Sequence, residues 1–200
     1  MNRVLDQGYD LVRARFSSDG RLVATTPSPV EPARDRVKIW DWELGEVVQT
    51  INAPAAYWID FDPSGSRIAT AGPGSLAEIW DVESGRRVAV LAGHSGNITE
   101  VAFSPDGSLV ATAGADGTVR LFEADTGAQH LVLQGHGCTV DDVAFSADGT
   151  KLASTSSCDG VRIWALDIDD LLQIAQQNVK RSLTDEECRQ YLHVDRCPQA

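Results

Sequence analysis

Long apolar runs are missing from this sequence. None approaches the roughly 20 residues that a membrane-spanning helix needs, and Met1-Asn2-Arg3-Val4-Leu5-Asp6-Gln7 lacks the apolar core of a secretory signal. Basic charge is scarce. Lys and Arg total 17 against 29 Asp and Glu, a net charge of −12, which argues against nonspecific affinity for nucleic acid or anionic lipid. The expectation is a cytoplasmic protein with no membrane and no nucleic-acid partner, its charge suited to a basic one. Cysteine is also sparse: Cys138, Cys158, Cys188 and Cys197 are too scattered for a disulfide framework. A zinc site on Cys188 and Cys197 would have to recruit His193 and a distant ligand, so none is expected. No nucleophile elbow, phosphate loop, dense His/Cys motif or Ser/His/Asp constellation is present. Catalytic residues, cofactor and metal are accordingly all assigned as none.

What the chain does have is repetition. Phe16-Ser-Ser-Asp-Gly20, Phe61-Asp-Pro-Ser-Gly65, Phe103-Ser-Pro-Asp-Gly107 and Phe145-Ser-Ala-Asp-Gly149 are spaced by 45, 42 and 42 positions. Each precedes an apolar run and a short turn, after which come Ile39-Trp40-Asp41, Ile79-Trp80-Asp81, Leu121-Phe122-Glu123 or Ile163-Trp164-Ala165. A fixed period near 42 means one supersecondary unit reused, each unit burying a face on the next.

The third repeat reads most clearly. Ile98-Thr99-Glu100-Val101-Ala102-Phe103 alternates apolar and polar, the period of a strand. Ser104-Pro105-Asp106-Gly107 is a tight turn, with Pro fixing φ and Gly supplying the left-handed position. Leu109-Val110-Ala111-Thr112-Ala113 is a strand apolar enough to be covered on both faces. Asp116-Gly117 and Thr126-Gly127 mark further turns around a third strand at 118–122 and a fourth at 129–133. Four short antiparallel strands per unit, repeated at this length, are the pattern of propeller blades. The fold class expected is therefore all-β, with repeats at about 9–51, 52–92, 93–134 and 135–166, residues 1–6 available as a ring-closing strand, and a helical tail over 167–200.

Gly93-His94 and Gly135-His136 stand before the first strands of their units, and Trp40-Asp41 and Trp80-Asp81 close third strands. Taken with the Phe-Ser-x-Asp-Gly turns, this resembles the WD-repeat family. The resemblance implies a β-propeller serving as an interaction platform. It also implies a hydrogen-bonded network in each blade, of His, Ser or Thr, Asp and Trp. The fourth repeat keeps all members, as His136, Ser154, Asp159 and Trp164. The third has His94, Thr112 and Asp116, with Phe122 in place of Trp. The second keeps Thr70 and Trp80, and the first Thr25, Asp35 and Trp40. These residues are read as structural, so His136 with Asp159 is not a catalytic pair.

The family usually builds seven blades and four are recognisable. The expectation is the C-terminal portion of a longer chain; the alternative is closure by these four, with Arg3-Val4-Leu5 supplying the last outer strand. An incomplete ring would leave edges open to self-association. In the tail, Asp167-Ile168-Asp169-Asp170 and the capping box Thr184-Asp185-Glu186-Glu187 start two helices. The run Ser182-Leu183-Thr184-Asp185-Glu186-Glu187-Cys188-Arg189-Gln190-Tyr191-Leu192, with Cys197-Pro198, resembles the tail of large bacterial multidomain signalling proteins.

If 139–145 and 151–157 form a hairpin, Cys138 and Cys158 lie about opposite each other at its open end. Two half-buried thiols in a reducing compartment are the first reading, and a redox-sensitive bridge the alternative. Trp58 sits where later repeats carry Glu100 and Asp142. If those acids reach water, so does Trp58, and with Tyr57 beside it an interaction anchor results. The alternative is that Trp58 fills the gap left by its blade's absent His. Arg13 and Asp60 complete the ionisable groups at this mouth. The first-repeat loop over 26–34, five residues longer than its counterparts and Pro-rich, offers Pro29 and Glu31. The reading is a noncatalytic protein–protein interaction platform. The alternatives are a ligand-sensing regulatory fragment of a larger signalling protein and, more remotely, a channel-mouth hydrolase using Glu100, Asp142, Asp60 and Arg13.

Overall fold

The computed structural model describes residues 11–27, 36–53 and 56–167. The chain divides into two units, Met1–Trp164 and Ala165–Ala200, and the sheets are built in the first. The ring-closing segment 1–6, the loop residues Pro29 and Glu31, Asp35 of the first blade's network, and the tail helices lie outside the described residues.

Among the described residues fifteen strands follow one another: β1 (Leu11–Phe16), β2 (Leu22–Pro27), β3 (Val37–Asp41), β4 (Glu46–Ile51), β5 (Trp58–Phe61), β6 (Arg67–Ala71), β7 (Leu76–Asp81), β8 (Arg87–Ala92), β9 (Ile98–Phe103), β10 (Leu109–Gly114), β11 (Thr118–Glu123), β12 (Gln129–Gln134), β13 (Asp142–Phe145), β14 (Lys151–Ser156) and β15 (Gly160–Ala165). They form four antiparallel meanders, β1-β2-β3-β4, β5-β6-β7-β8, β9-β10-β11-β12 and the three-stranded β13-β14-β15. The described residues are thus all-β, in repeated antiparallel sheets.

The repeated turn explains the repeated register. Gly20, Gly65, Gly107 and Gly149 all take φ between 71° and 74°, a left-handed conformation that any side chain would strain. Each donates its N–H to the carbonyl three residues back at 2.9 Å. In the first turn the Ser17 hydroxyl accepts from the Leu22 N–H and donates to Asp19. The third and fourth turns repeat this with Ser104 and Asp106, and with Ser146 and Asp148. In the second turn the two residue types trade places: Ser64 donates to Asp62, which accepts the Arg67 N–H. The bonds survive the exchange because a hydroxyl and a carboxylate can both accept. Phe61 consequently pairs with Ile68, and Phe103 with Val110.

The core lies between sheets. Leu22, Ala24, Val37, Ile39 and Ile51 of the first sheet pack on Ile59, Phe61, Ile68 and Trp80 of the second. The far face of the second sheet, with Ala69, Ala71, Ala77 and Ile79, packs on Ile98, Val101, Phe103, Val110 and Phe122 of the third. The innermost strands β1, β5, β9 and β13 contact one another in that order. The first and second sheets each receive on one face the Phe of the next repeat, Phe61 and Phe103, which is why the 42-residue period carries its apolar positions in fixed places.

Candidate functional site

Two sets of polar side chains stand out, one inside the blades and one where the inner strands meet.

Inside the fourth sheet, Trp164 donates its indole N–H to Ser154 Oγ at 2.8 Å, and Ser154 Oγ lies 2.8 Å from His136 Nε2. His136 Nδ1 is 2.5 Å from Asp159 Oδ1. An ionised carboxylate only accepts, so Nδ1 carries the ring proton and Nε2 accepts from the serine hydroxyl. Donation then runs one way, from indole to carboxylate. The hydrogen bond from His136, with that of the Gly137 N–H, holds the Asp159 pKa at about 2 against the opposing effect of burial. In the third sheet His94 spans Thr112 at 2.8 Å and Asp116 at 3.0 Å. Burial alone would raise the Asp116 carboxyl. The Ser95 N–H, the Thr118 hydroxyl and His94 outweigh it and hold the group far below the usual carboxylate range. Ser95 and Thr118 escape a reading of the four-residue pattern, although Thr118, two residues after Asp116, has the spacing of a local side-chain turn. The first and second sheets carry the shorter version, Trp40 to Thr25 at 3.0 Å and Trp80 to Thr70 at 2.9 Å. Both His side chains are fully buried. The two imidazoles are thus out of a partner's reach, while the Asp159 side chain is 25% exposed.

Cys138 and Cys158 are joined by a disulfide, which corrects the reading of two thiols. Asp142 pairs with Thr155, and the chain before β13 runs back alongside the chain after β14. That brings the two Cα atoms to 6.4 Å, inside bridging range. The bridge thus ties the loop of His136 to the loop of Asp159.

The second set is a row. Arg13, Trp58, Glu100 and Asp142 stand at equivalent positions of β1, β5, β9 and β13, and Arg15 and Asp60 stand two residues further along β1 and β5. The Arg13 guanidinium lies over the Trp58 ring, 3.5 Å from its centroid, and donates to Glu100 Oε2 at 3.2 Å. Trp58 is half-buried against the second core, and Tyr57 is half-buried with its N–H on the Ala71 carbonyl. Glu100 is 6% exposed, so it does not reach water as its place in the row suggested, whereas Asp142 does. Arg13 donates to Glu100, whereas Asp142 accepts the N–H of its own neighbour Val143. Desolvation raises the carboxyl of Glu100, with Arg13 pulling it back and Asp142 pushing it up. Desolvation raises Asp60 too, against the Phe103 N–H that it accepts at 2.9 Å.

Arg15, Asp60, Glu100 and Asp142 line an open cavity of about 350 Å³. A wider cleft of about 530 Å³ lies by the turns near Arg21 and Glu83, whose side chains are exposed. The inner cavity brings desolvated carboxylates together with the Phe103 and Phe145 rings, and Arg15 lines it too.

Residues 85–123 and 127–165 each match the family model of the WD domain, G-beta repeat.

Proposed function

We propose that this chain, which carries WD repeats, is a noncatalytic protein-interaction platform whose inner-strand mouth receives a basic segment of a protein partner. WD repeats generally mediate protein–protein interaction or scaffolding. The observation that carries the finer reading is the row itself. Three carboxylates, Asp60, Glu100 and Asp142, converge on one cavity, and burial keeps two of them short of full solvation. Arg13 donates to Glu100 Oε2 and the Val101 N–H to Oε1, which leaves Asp60 and Asp142 as the carboxylates that a partner would meet. A partner's Lys or Arg entering between Asp60 and Asp142 would neutralise charge that water serves poorly there. The chain's net charge of −12 steers the same class of partner toward it. Within the row the side chains have partners that position them, and none has the hydroxyl or thiol of a nucleophile.

The test is an array of short peptides, matched in length and composed as basic, neutral and acidic series, probed with the intact chain at low and moderate salt. Basic peptides are expected to be retained, with retention falling as salt rises. Asp60→Asn and Asp142→Asn should each weaken it roughly tenfold, the value of one charge-assisted contact. Retention that ignores peptide charge, or survives both substitutions together, refutes the reading.

A further inference from the structure

We infer that Arg15 sets the specificity of the inner-strand mouth, which takes a partner segment carrying a carboxylate beside its basic residue. This rests on the reading that a basic segment enters there, and adds what must flank the entering cation. The inner strands carry two levels of equivalent side chains. The first is Arg13, Trp58, Glu100 and Asp142; two residues further along, the second is Arg15, Asp60, Ala102 and Ala144. The second level opens the cavity, because β9 and β13 carry alanine where β1 and β5 carry an arginine and an aspartate. The two arginines differ in their partners. Arg13 is committed, lying over Trp58 and donating to Glu100. Arg15 is the exception among the charged groups there. Its exposed side chain lines the cavity and makes no hydrogen bond or ion pair among the described residues.

The carboxylates near Arg15 each take another donor. Asp60 Oδ2 accepts the Phe103 N–H at 2.9 Å, Glu100 accepts from Arg13 and the Val101 N–H, and Asp142 Oδ1 accepts the Val143 N–H at 2.8 Å. Burial raises the carboxyls of Asp60 and Glu100, and Arg15 pulls both back only from a distance. A guanidinium offers five N–H donors in a fixed plane and accepts nothing. Left unspent in a cavity, it matches a planar anion, which a carboxylate meets with both oxygens. The same cavity holds Asp142 Oδ2, an acceptor with no hydrogen bond among the described residues, which suits a cation. A run of basic residues would meet Asp142 and be opposed by Arg15. A segment with Lys or Arg beside Asp or Glu would satisfy both. The net charge of −12 draws cations from a distance, and Arg15 decides locally which cationic segment fits.

Fluorescence anisotropy with three labelled peptides tests this. Each carries one central Lys flanked on both sides by Glu, by Gln or by Lys, with net charge equalised by residues at the far end. The intact chain is titrated into each at one salt concentration. The Glu-flanked peptide should bind tightest and the Lys-flanked one weakest, with steps of about fivefold, the scale of a solvent-exposed charge pair. Arg15→Gln should bring the Glu-flanked and Gln-flanked peptides to equal affinity, and Arg15→Glu should reverse the order. Because the Arg15 side chain is exposed and unbonded, both variants should keep the urea midpoint of the unmodified chain. Equal affinities for the three peptides, or an order that Arg15→Gln leaves unchanged, would overturn the inference while the basic-segment reading stands. Failure of all three peptides to bind would overturn both.

Discussion

Replacing Thr70 by Val tests whether the hydrogen bond within the second blade contributes to stability or merely fills space. Thr70 Oγ1 accepts the Trp80 indole N–H at 2.9 Å, with both residues buried. Val keeps the shape and leaves the indole with no hydroxyl to reach, which should cost about 1–3 kcal/mol. Trp80→Phe removes the same bond at about 1 kcal/mol and the smaller ring gives up about 1–2 kcal/mol of buried surface. In the double variant the bond is lost once, not twice. The cost of the double variant should therefore fall short of the sum of the two single costs by about 1 kcal/mol or more. Urea unfolding of the four chains measures this, provided that the dependence on denaturant stays constant across them. The third blade supplies the comparison: Phe122 occupies the Trp position, and the Thr112 hydroxyl turns to His94 instead. Thr70 has no such histidine, only a long contact to the Glu78 carbonyl at 3.5 Å. Costs that add to within about 0.3–0.5 kcal/mol would show that the bond has no net coupling, and that the blade is held by packing alone.

Reducing the Cys138–Cys158 bridge, or replacing both residues by Ser, should lower stability by about 3 kcal/mol from the chain entropy of a loop this long, across a separation of 20 residues. An unchanged melting temperature in reductant would refute it. Acid should destabilise the third blade first. Burial lowers the His94 pKa below its ordinary value, only partly offset by Asp116. The unfolded chain therefore takes up a proton near pH 6.5 that the folded chain refuses, and stability falls as pH drops through that range. Asp116, whose carboxyl is depressed, adds a second loss as pH falls below the usual carboxylate range. His94→Gln should flatten the first limb and leave the second; an identical pH profile in the variant would exclude His94 as its source.

The turns and blade networks were legible because the residues that make them are close in sequence or recur at a fixed period. The Phe-Ser-x-Asp-Gly motif specifies its hydrogen bonds within six residues, so reading the letters nearly reads the structure. The inner row was legible as a row, since Trp58, Glu100 and Asp142 fall 42 positions apart. Its energetics were not. Glu100 and Asp142 have the same charge and equivalent places, yet one is buried and bonded to Arg13, 87 positions away, which lies over Trp58. Repeat grammar specifies position within a unit, and says little about which neighbour's long side chain will lie across it.

The cysteines failed for a related reason. A strand alignment set them roughly opposite, but whether two thiols meet depends on how the flanking loops bend, and here the loops bring their Cα atoms to 6.4 Å. Phe16 and Ile163 are the clearest case. Each carries the same apolar identity as its buried counterparts, and nothing in its own repeat marks it as exposed. In a stacked array, burial belongs to the pair of units and not to the residue. A terminal unit written in the internal grammar is therefore a surface shaped for a unit that the described residues do not supply.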